Sequence, residues 1–336
     1  MLCLGLASLA LLALSGSASL QRTMTEILIR VVMVVGMFAF IGHSGVISFG
    51  HIAFVGIGAY AAAWTTMEPS IKQVVLTGLP SWLAQTTLHW VPAALAAGAL
   101  AAVVALAVGS IILRLTGIAA SIATFSLLAI FNVVYSNWDS VTAGSSSIVG
   151  IPTPVGVAEA WIFAVLAILV AHLHAVSRYG LALQSVREEP VAAKSCGVNA
   201  WRHSLVAFVL STAICGVGGA LDAQFIGVIS PDAYYLGRTF TCLTMLVIGG
   251  SASLSGAVAG VVSLSLLIEV LVKLESGIEL GSLTIQLPSG SQEITIGTTM
   301  MVMLILRPGG LMRGRDLRWP STRTAENPQG VPAAAH

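Results

Sequence analysis

Long apolar runs separated by short polar stretches dominate the pattern along this chain. The runs cover residues 2–20, 26–41, 52–66, 89–113, 117–136, 158–176, 203–229, 238–250, 255–273 and 292–306. A helix of about 20 apolar residues crosses ~30 Å of hydrocarbon, whereas a membrane barrel shows alternating segments of about ten residues. The pattern therefore predicts an all-α, polytopic transmembrane helical bundle of about ten spans, some of them broken by glycine.

Composition supports a membrane protein and excludes a soluble one. Hydrophobic residues make up 56% of the chain and charged residues only 9%, against roughly a quarter in soluble domains. The lipid bilayer is thus the expected surrounding. The net charge of +1, with no basic tract before the tail, gives no reason to expect nucleic acid. Four cysteines without ligand or disulfide spacing predict small apolar fillers and no metal site.

The distribution of basic residues predicts the orientation. If the polar segment 178–202 is cytoplasmic, ten spans place both termini on that side. Ten of the fifteen basic residues then lie there, as the positive-inside rule expects: Arg114, Arg178, Arg187, Lys194, Arg202, Arg307, Arg313, Arg315, Arg318 and Arg323. Arg22 lies on the opposite side, and the parity depends on whether 238–250 spans or re-enters. Residues 2–20 lack the basic start of a signal peptide, which favours a first span.

The organising feature is the polar segment 178–202 between two apolar runs. Leu181, Ser185, Val186 and Glu189 lie at helical spacing before Pro190, which interrupts the pattern. A second short helical stretch is predicted to end near Gly197–Asn199. A surface for a docking partner is favoured over a merely solvated loop. Residues 1–312 are therefore expected to form one transmembrane domain, and 313–336 a disordered cytoplasmic tail.

Two breaks rich in glycine and serine interrupt the apolar pattern, at residues 42–51 and 249–256. Such breaks in transporters often line a pathway, although tight turns between spans have the same composition. The candidate pathway residues within them are His43, Ser44, Ser48, His51, Ser251 and Ser253.

Ionisable residues within the runs offer one further kind of chemistry. Asp222 lies deep in the run 203–229, and either carries ions or bonds across a close helix contact near Gly216, Gly218 and Gly219. The chain has no nucleotide-binding loop, nucleophile elbow or zinc-protease motif, so we expect neither an enzyme nor ATP hydrolysis by this chain alone.

Several of these stretches resemble one known family. The segment G-H-S-G-V-I-S-F-G-H (42–51), the stretch from Tyr179 to Asn199, V-I-S-P (228–231), I-G-G (248–250) and R-P-G-G-L (307–311) occur in the order seen in LivM-type permease subunits of branched-chain amino-acid ABC transporters. The chain departs from the family pattern at Asp222 and in the loop 137–157.

The resemblance implies a permease subunit of a binding-protein-dependent importer of leucine, isoleucine and valine in the bacterial inner membrane. It implies a second, similar permease, two cytoplasmic ATPase subunits that bind the ATP, a periplasmic binding protein, and no cofactor in this chain. The residues expected to couple to the ATPase are Leu181, Val186, Arg187, Glu188, Glu189 and Lys194. Relatives with this outline also carry urea, short amides or other amino acids, and an ion-coupled secondary transporter stays as the alternative.

Overall fold

A computed structural model describes residues 16–280, 283–285, 288, 290–307 and 309–312 of the chain, and this part is mainly helical. The longer helices are α1 (Ala18–Ser44), α2 (His51–Thr66), α5 (Trp90–Ile112), α6 (Ile118–Asn137), α8 (Val157–Val176), α11 (Ala200–Ile226), α12 (Leu236–Gly249), α13 (Leu254–Ser276) and α14 (Ser291–Leu306). The short helices are α3 (Pro69–Val75), α4 (Ser81–Gln85), α7 (Asp139–Thr142), α9 (Arg178–Glu188) and α10 (Pro190–Ser195), with a 3₁₀ turn at Asp232–Tyr234. Two small antiparallel pairs, β1 (Ile148–Val149) with β2 (Val228–Ile229) and β3 (Ile278–Leu280) with β4 (Leu283–Ile285), complete it.

The connections between the longer helices gather at two ends of the bundle. One end, here called the coupling end, contains residues 45–50, 113–117, 177–199 and 250–253. The other, here called the cap end, contains residues 67–89, 138–156 and 227–235. Each of the longer helices runs from one end towards the other.

Helix α11 forms the centre of the bundle, because it packs against α1, α2 and α5. Small residues let these backbones approach closely, as is usual between membrane helices. A Cβ added at Gly58 of α2 would overlap the carbonyl oxygen of Gly216. The hydroxyl of Ser211 donates a 2.6 Å hydrogen bond to the Gly36 carbonyl of α1. α1 is the most enclosed of the long helices, with Val31 to Ala39 almost wholly buried.

At the cap end, a buried lysine joins the two short helices of the segment 67–89. Lys72 is fully buried, and its Nζ donates to the carbonyls of Leu83 at 3.2 Å and Thr86 at 2.6 Å. The indole of Trp64 donates to the Val141 carbonyl at 3.0 Å, which ties this segment to the next connection. Burial lowers the pKa of the Lys72 ammonium below its ordinary value.

Six of the described helices are long and apolar enough to cross a membrane: α1, α5, α6, α8, α11 and α13. The helices α2, α12 and α14 have 16, 14 and 16 residues, or roughly 21–24 Å at 1.5 Å per residue. The helical class is confirmed, but the predicted count of about ten spans is not. Whether α12 spans or re-enters stays open at its length.

The predicted break between a first span at 2–20 and a second at 26–41 is wrong for the described residues. Arg22 lies inside α1, which begins at Ala18 with Ser17 as its N-cap. A single arginine does not end a helix, and no glycine or proline occurs before Gly36. Residues 1–15 and the predicted tail 313–336 lie outside the described residues.

Candidate functional site at the coupling end

The polar segment 178–202 forms two short helices that meet at a sharp bend. The hydroxyl of Ser177 caps α9 by accepting from the Gly180 backbone N–H at 3.2 Å. Glu189 is extended, and Pro190 then opens α10 at a position where its missing N–H costs nothing. Gly197 adopts positive φ, and Asn199 caps α11. The predicted helix, break and second helix are therefore present, and each boundary has a local cause.

Arg187 fastens this segment to the membrane helices. Its Nη1 donates to the carbonyl oxygen of Gly42, 2.5 Å away in the last turn of α1. A cation near the carbonyl end of a helix is favourable, because that end carries partial negative charge. The aliphatic part of Arg187 lies against Gly45, where positive φ favours glycine and an added Cβ would meet Cγ at 3.0 Å. Arg187 thus links α9 directly to the first glycine–serine break.

A cavity of about 290 Å³ lies where the polar segment and both breaks meet. Its lining residues are Phe38, Gly42, His43, His172, Ala175, Gln184, Arg187, Glu188, Ala252 and Leu254. A Cβ added at Gly42 would stand 2.8 Å from the Ser251 carbonyl, so the two breaks are in close contact. Motion of α9 would therefore be felt at the ends of α1, α12 and α13. We call this cavity the coupling cavity.

Two histidines form the wall of the coupling cavity on the side of α8. The His43 ring is buried, with Nδ1 3.1 Å from the carbonyl of Ala39. It packs edge-on against His174, with ring centroids 5.6 Å apart. Gln184 of α9 donates to the Ala175 carbonyl at 3.3 Å, so α9 is also held at the end of α8. The sequence analysis had named His43 but had not joined His174 or Gln184 to it.

The other serine and histidine candidates of the first break face elsewhere. Ser48 and His51 are fully buried and hydrogen-bonded to each other, 2.8 Å between Oγ and Nδ1. The His51 ring packs against Phe40 and Phe208, away from the coupling cavity. Ser44 accepts from the Val46 backbone N–H at 3.2 Å. The contacts of Ser44, Ser48 and His51 stabilise the break itself.

In the second break the two candidate serines differ. Ser253 is buried and caps α13 by accepting from the Gly256 backbone N–H at 2.8 Å. Ser251 is exposed beside the contact with Gly42. The segment 309–312 covers this break, since Leu311 donates to the Ile248 carbonyl at 2.8 Å.

Asp222 lies near the cap end, far from the coupling cavity. Its carboxylate is 2% exposed and accepts from Arg238 Nη1 at 2.8 Å and from the Tyr234 hydroxyl at 2.9 Å. Both carboxylate oxygens therefore have partners, one of them a full counter-charge. The sequence had placed Arg238 in a turn and gave no signal for this pair, sixteen residues apart.

The outer surface of the polar segment carries apolar side chains. Leu181 is 55% exposed and Val191 is 73% exposed, whereas Val186 is half-buried. Glu188, Glu189 and Lys194 are exposed between and beside them. Val191 was not among the predicted contact residues, because one valine after a proline gives no pattern in the sequence.

The comparison with known proteins gives the family. The family described as "Branched-chain amino acid transport system / permease component" matches residues 19–305. The chain belongs to this permease family. It is 25% identical to the high-affinity branched-chain amino acid transport system permease protein LivM of Escherichia coli (strain K12), over 91% of this chain and 74% of that protein. The LivM of Salmonella typhimurium (strain LT2) is also 25% identical, over 86% of this chain and 68% of that protein.

A shorter similarity points to another solute. The nucleoside ABC transporter permease protein NupC of Lactococcus lactis subsp. cremoris is 35% identical, but over only 25% of this permease and 27% of that protein. No solved structure matches the chain. Family and helices together identify a multi-pass membrane permease of the LivM type.

Proposed function

We propose that the chain is the permease subunit of a binding-protein-dependent ABC importer that carries leucine, isoleucine and valine. The proposal rests on family membership together with one structural observation. Arg187 fastens an exposed two-helix segment to the end of α1, beside both helix breaks. Such a segment suits transfer of force from a partner outside the membrane to helices within it.

The polar segment offers an ATPase subunit a mixed surface. Leu181 and Val191 would act as apolar anchors, because exposed apolar side chains gain most from burial at an interface. Arg187, Glu188, Glu189 and Lys194 would supply the charged rim, and Val186 packs on the inner side. ATP would be bound by two such ATPase subunits and not by this chain.

The remaining partners follow from the same proposal. The coupling end would be cytoplasmic, since Arg114, Arg178, Arg187, Lys194 and Arg202 all lie there. The cap end would then meet a periplasmic binding protein at the bacterial inner membrane. A second, similar permease would complete the pathway. The substrate class comes from relatives only 25% identical, so other amino acids, urea or short amides are the competing cargoes.

The test is uptake of radiolabelled leucine by vesicles that contain the chain with its partner subunits. We expect uptake to require ATP and the binding protein. The double change Glu188→Arg and Glu189→Arg should lower ATPase binding or uncouple hydrolysis from uptake while the permease still inserts. Glu68→Arg, an exposed change at the cap end, is the matched control for ATPase binding. Uptake that needs no ATP and follows an ion gradient would overturn the proposal.

A further inference from the structure

A second cavity, of about 250 Å³, lies near the cap end of the helices that form the coupling cavity. Its lining residues are Arg30, Met33, Ala233, Gly237, Arg238, Thr241, Cys242, Ile268, Gln292, Glu293 and Ile296. Pockets for drug-sized ligands measure roughly 300–1,000 Å³, so this one suits a smaller molecule. We call it the cap cavity.

The charges around the cap cavity come in two pairs and one remainder. Arg30 pairs with Glu26 on its own helix and donates to the Ser265 hydroxyl at 3.3 Å. Arg238 pairs with Asp222 at 2.8 Å. Glu293 is exposed at the cavity wall and forms no ion pair with any described residue.

Both arginines keep hydrogen-bonding capacity. A guanidinium has five N–H donors in a planar fork. The described residues accept from one nitrogen of Arg238 and from two nitrogens of Arg30. Donors therefore remain for a carboxylate in the cavity, while the carboxylate of Glu293 can accept from an ammonium group. The rest of the wall includes apolar side chains from Met33, Ile268 and Ile296.

We propose that the cap cavity binds the zwitterionic end of a small aliphatic amino acid, with the carboxylate at Arg30 and Arg238 and the ammonium at Glu293. A simple anion would fit less well, because the two arginines already have counter-charges and Glu293 would repel it. A simple cation would leave the arginine donors unused. This inference deepens the proposed function and rests on it for the substrate class.

The position of the cap cavity connects it to transport. Arg30 of α1 lines the cap cavity, and Gly42 of the same helix lines the coupling cavity. Twelve residues separate them, or roughly 18 Å along the helix axis. On α13, Ile268 and Leu254 line the two cavities in the same way, roughly 21 Å apart. The cap cavity is thus an entry site, and movement at the coupling end reaches it through continuous helices.

The test is protection of a thiol placed in the cap cavity of the assembled complex, without ATP or binding protein. Thr241→Cys puts the thiol on the wall, and Cys3→Ser with Cys196→Ser reduces background labelling. At ten times the dissociation constant, leucine should slow labelling about tenfold by mass action. The leucine methyl ester, which lacks the carboxylate, and isocaproate, which lacks the ammonium, should protect much less.

Charge variants decide whether the named groups are responsible. Glu293→Gln should weaken protection by leucine about threefold to fivefold, as expected for a partly exposed ion pair. Glu269→Gln is the matched control, since Glu269 pairs with Lys273 and does not line the cavity. Arg30→Gln should weaken protection, and Arg30→Lys should partly restore it.

Equal protection in the Glu293→Gln and Glu269→Gln proteins, or no protection by leucine, would overturn the inference. Equal protection by leucine and its methyl ester would also overturn it. The uptake test stands apart from these results, because ATP-driven leucine uptake without protection would leave the proposed function standing. Protection with uptake that follows an ion gradient would contradict the importer and not the site.

Discussion

Replacing Arg187 with glutamine removes the link between the polar segment and α1. The hydrogen bond from Nη1 to the Gly42 carbonyl is charge-assisted and partly buried. Such bonds contribute roughly 1.5–3 kcal/mol, and partial exposure of Arg187 argues for about 2 kcal/mol. That free energy corresponds to about thirtyfold in the equilibrium between α9 held on α1 and α9 released.

The measurement is the number of leucine molecules taken up per ATP hydrolysed in reconstituted vesicles. We expect Arg187→Gln to keep ATPase activity and to lower this ratio about tenfold or more, because hydrolysis no longer moves α1. Arg178→Gln is the control, since that guanidinium lies beside Tyr179 of its own helix. A wild-type ratio in the Arg187→Gln protein would refute the idea that this contact transmits force.

Three further predictions concern packing, pH and docking. Gly58→Leu should prevent α2 from meeting α11 at Gly216 and lower the melting temperature of the solubilised permease sharply, whereas Gly297→Ala, in open space, should not. Lys72 has a lowered pKa, so the folded cap end binds fewer protons, and its resistance to proteolysis should rise with pH towards the ordinary value of 10.5; Lys72→Met should abolish this rise. Leu181→Asp should weaken ATPase binding without changing the melting temperature of the permease alone.

Local signals in the sequence were sufficient for the polar segment. Pro190, Gly197 and Asn199 act on their own backbone, so helix, bend and second helix could be predicted from them. The breaks at 42–51 and 249–256 were predicted for the same reason. Their contact with each other was not, because Gly42 and Ser251 are more than two hundred residues apart and glycine packing leaves no charge or period to match.

The span count was harder, since hydropathy measures composition and not where a helix ends. Arg22 interrupts an apolar run but not a helix, because its long side chain can leave the apolar layer while the backbone continues. Helices α2 and α14 are apolar yet only 16 residues long. The residues of the cap cavity were also out of reach, because Arg30, Arg238 and Glu293 come from three different helices.

The pairing of Asp222 decides between the importer and an ion-coupled transporter. Asp222→Asn would leave Arg238 buried beside a neutral amide, and breaking a buried ion pair costs roughly 3–5 kcal/mol. We therefore expect poor folding of the single variant, and recovery of folded protein and ATP-driven uptake when Arg238→Gln is added. An ion-coupled carboxylate predicts the reverse: both proteins fold, and neither shows gradient-driven uptake. Melting temperature and uptake of the two variants, measured side by side, separate a structural ion pair from a proton or sodium site.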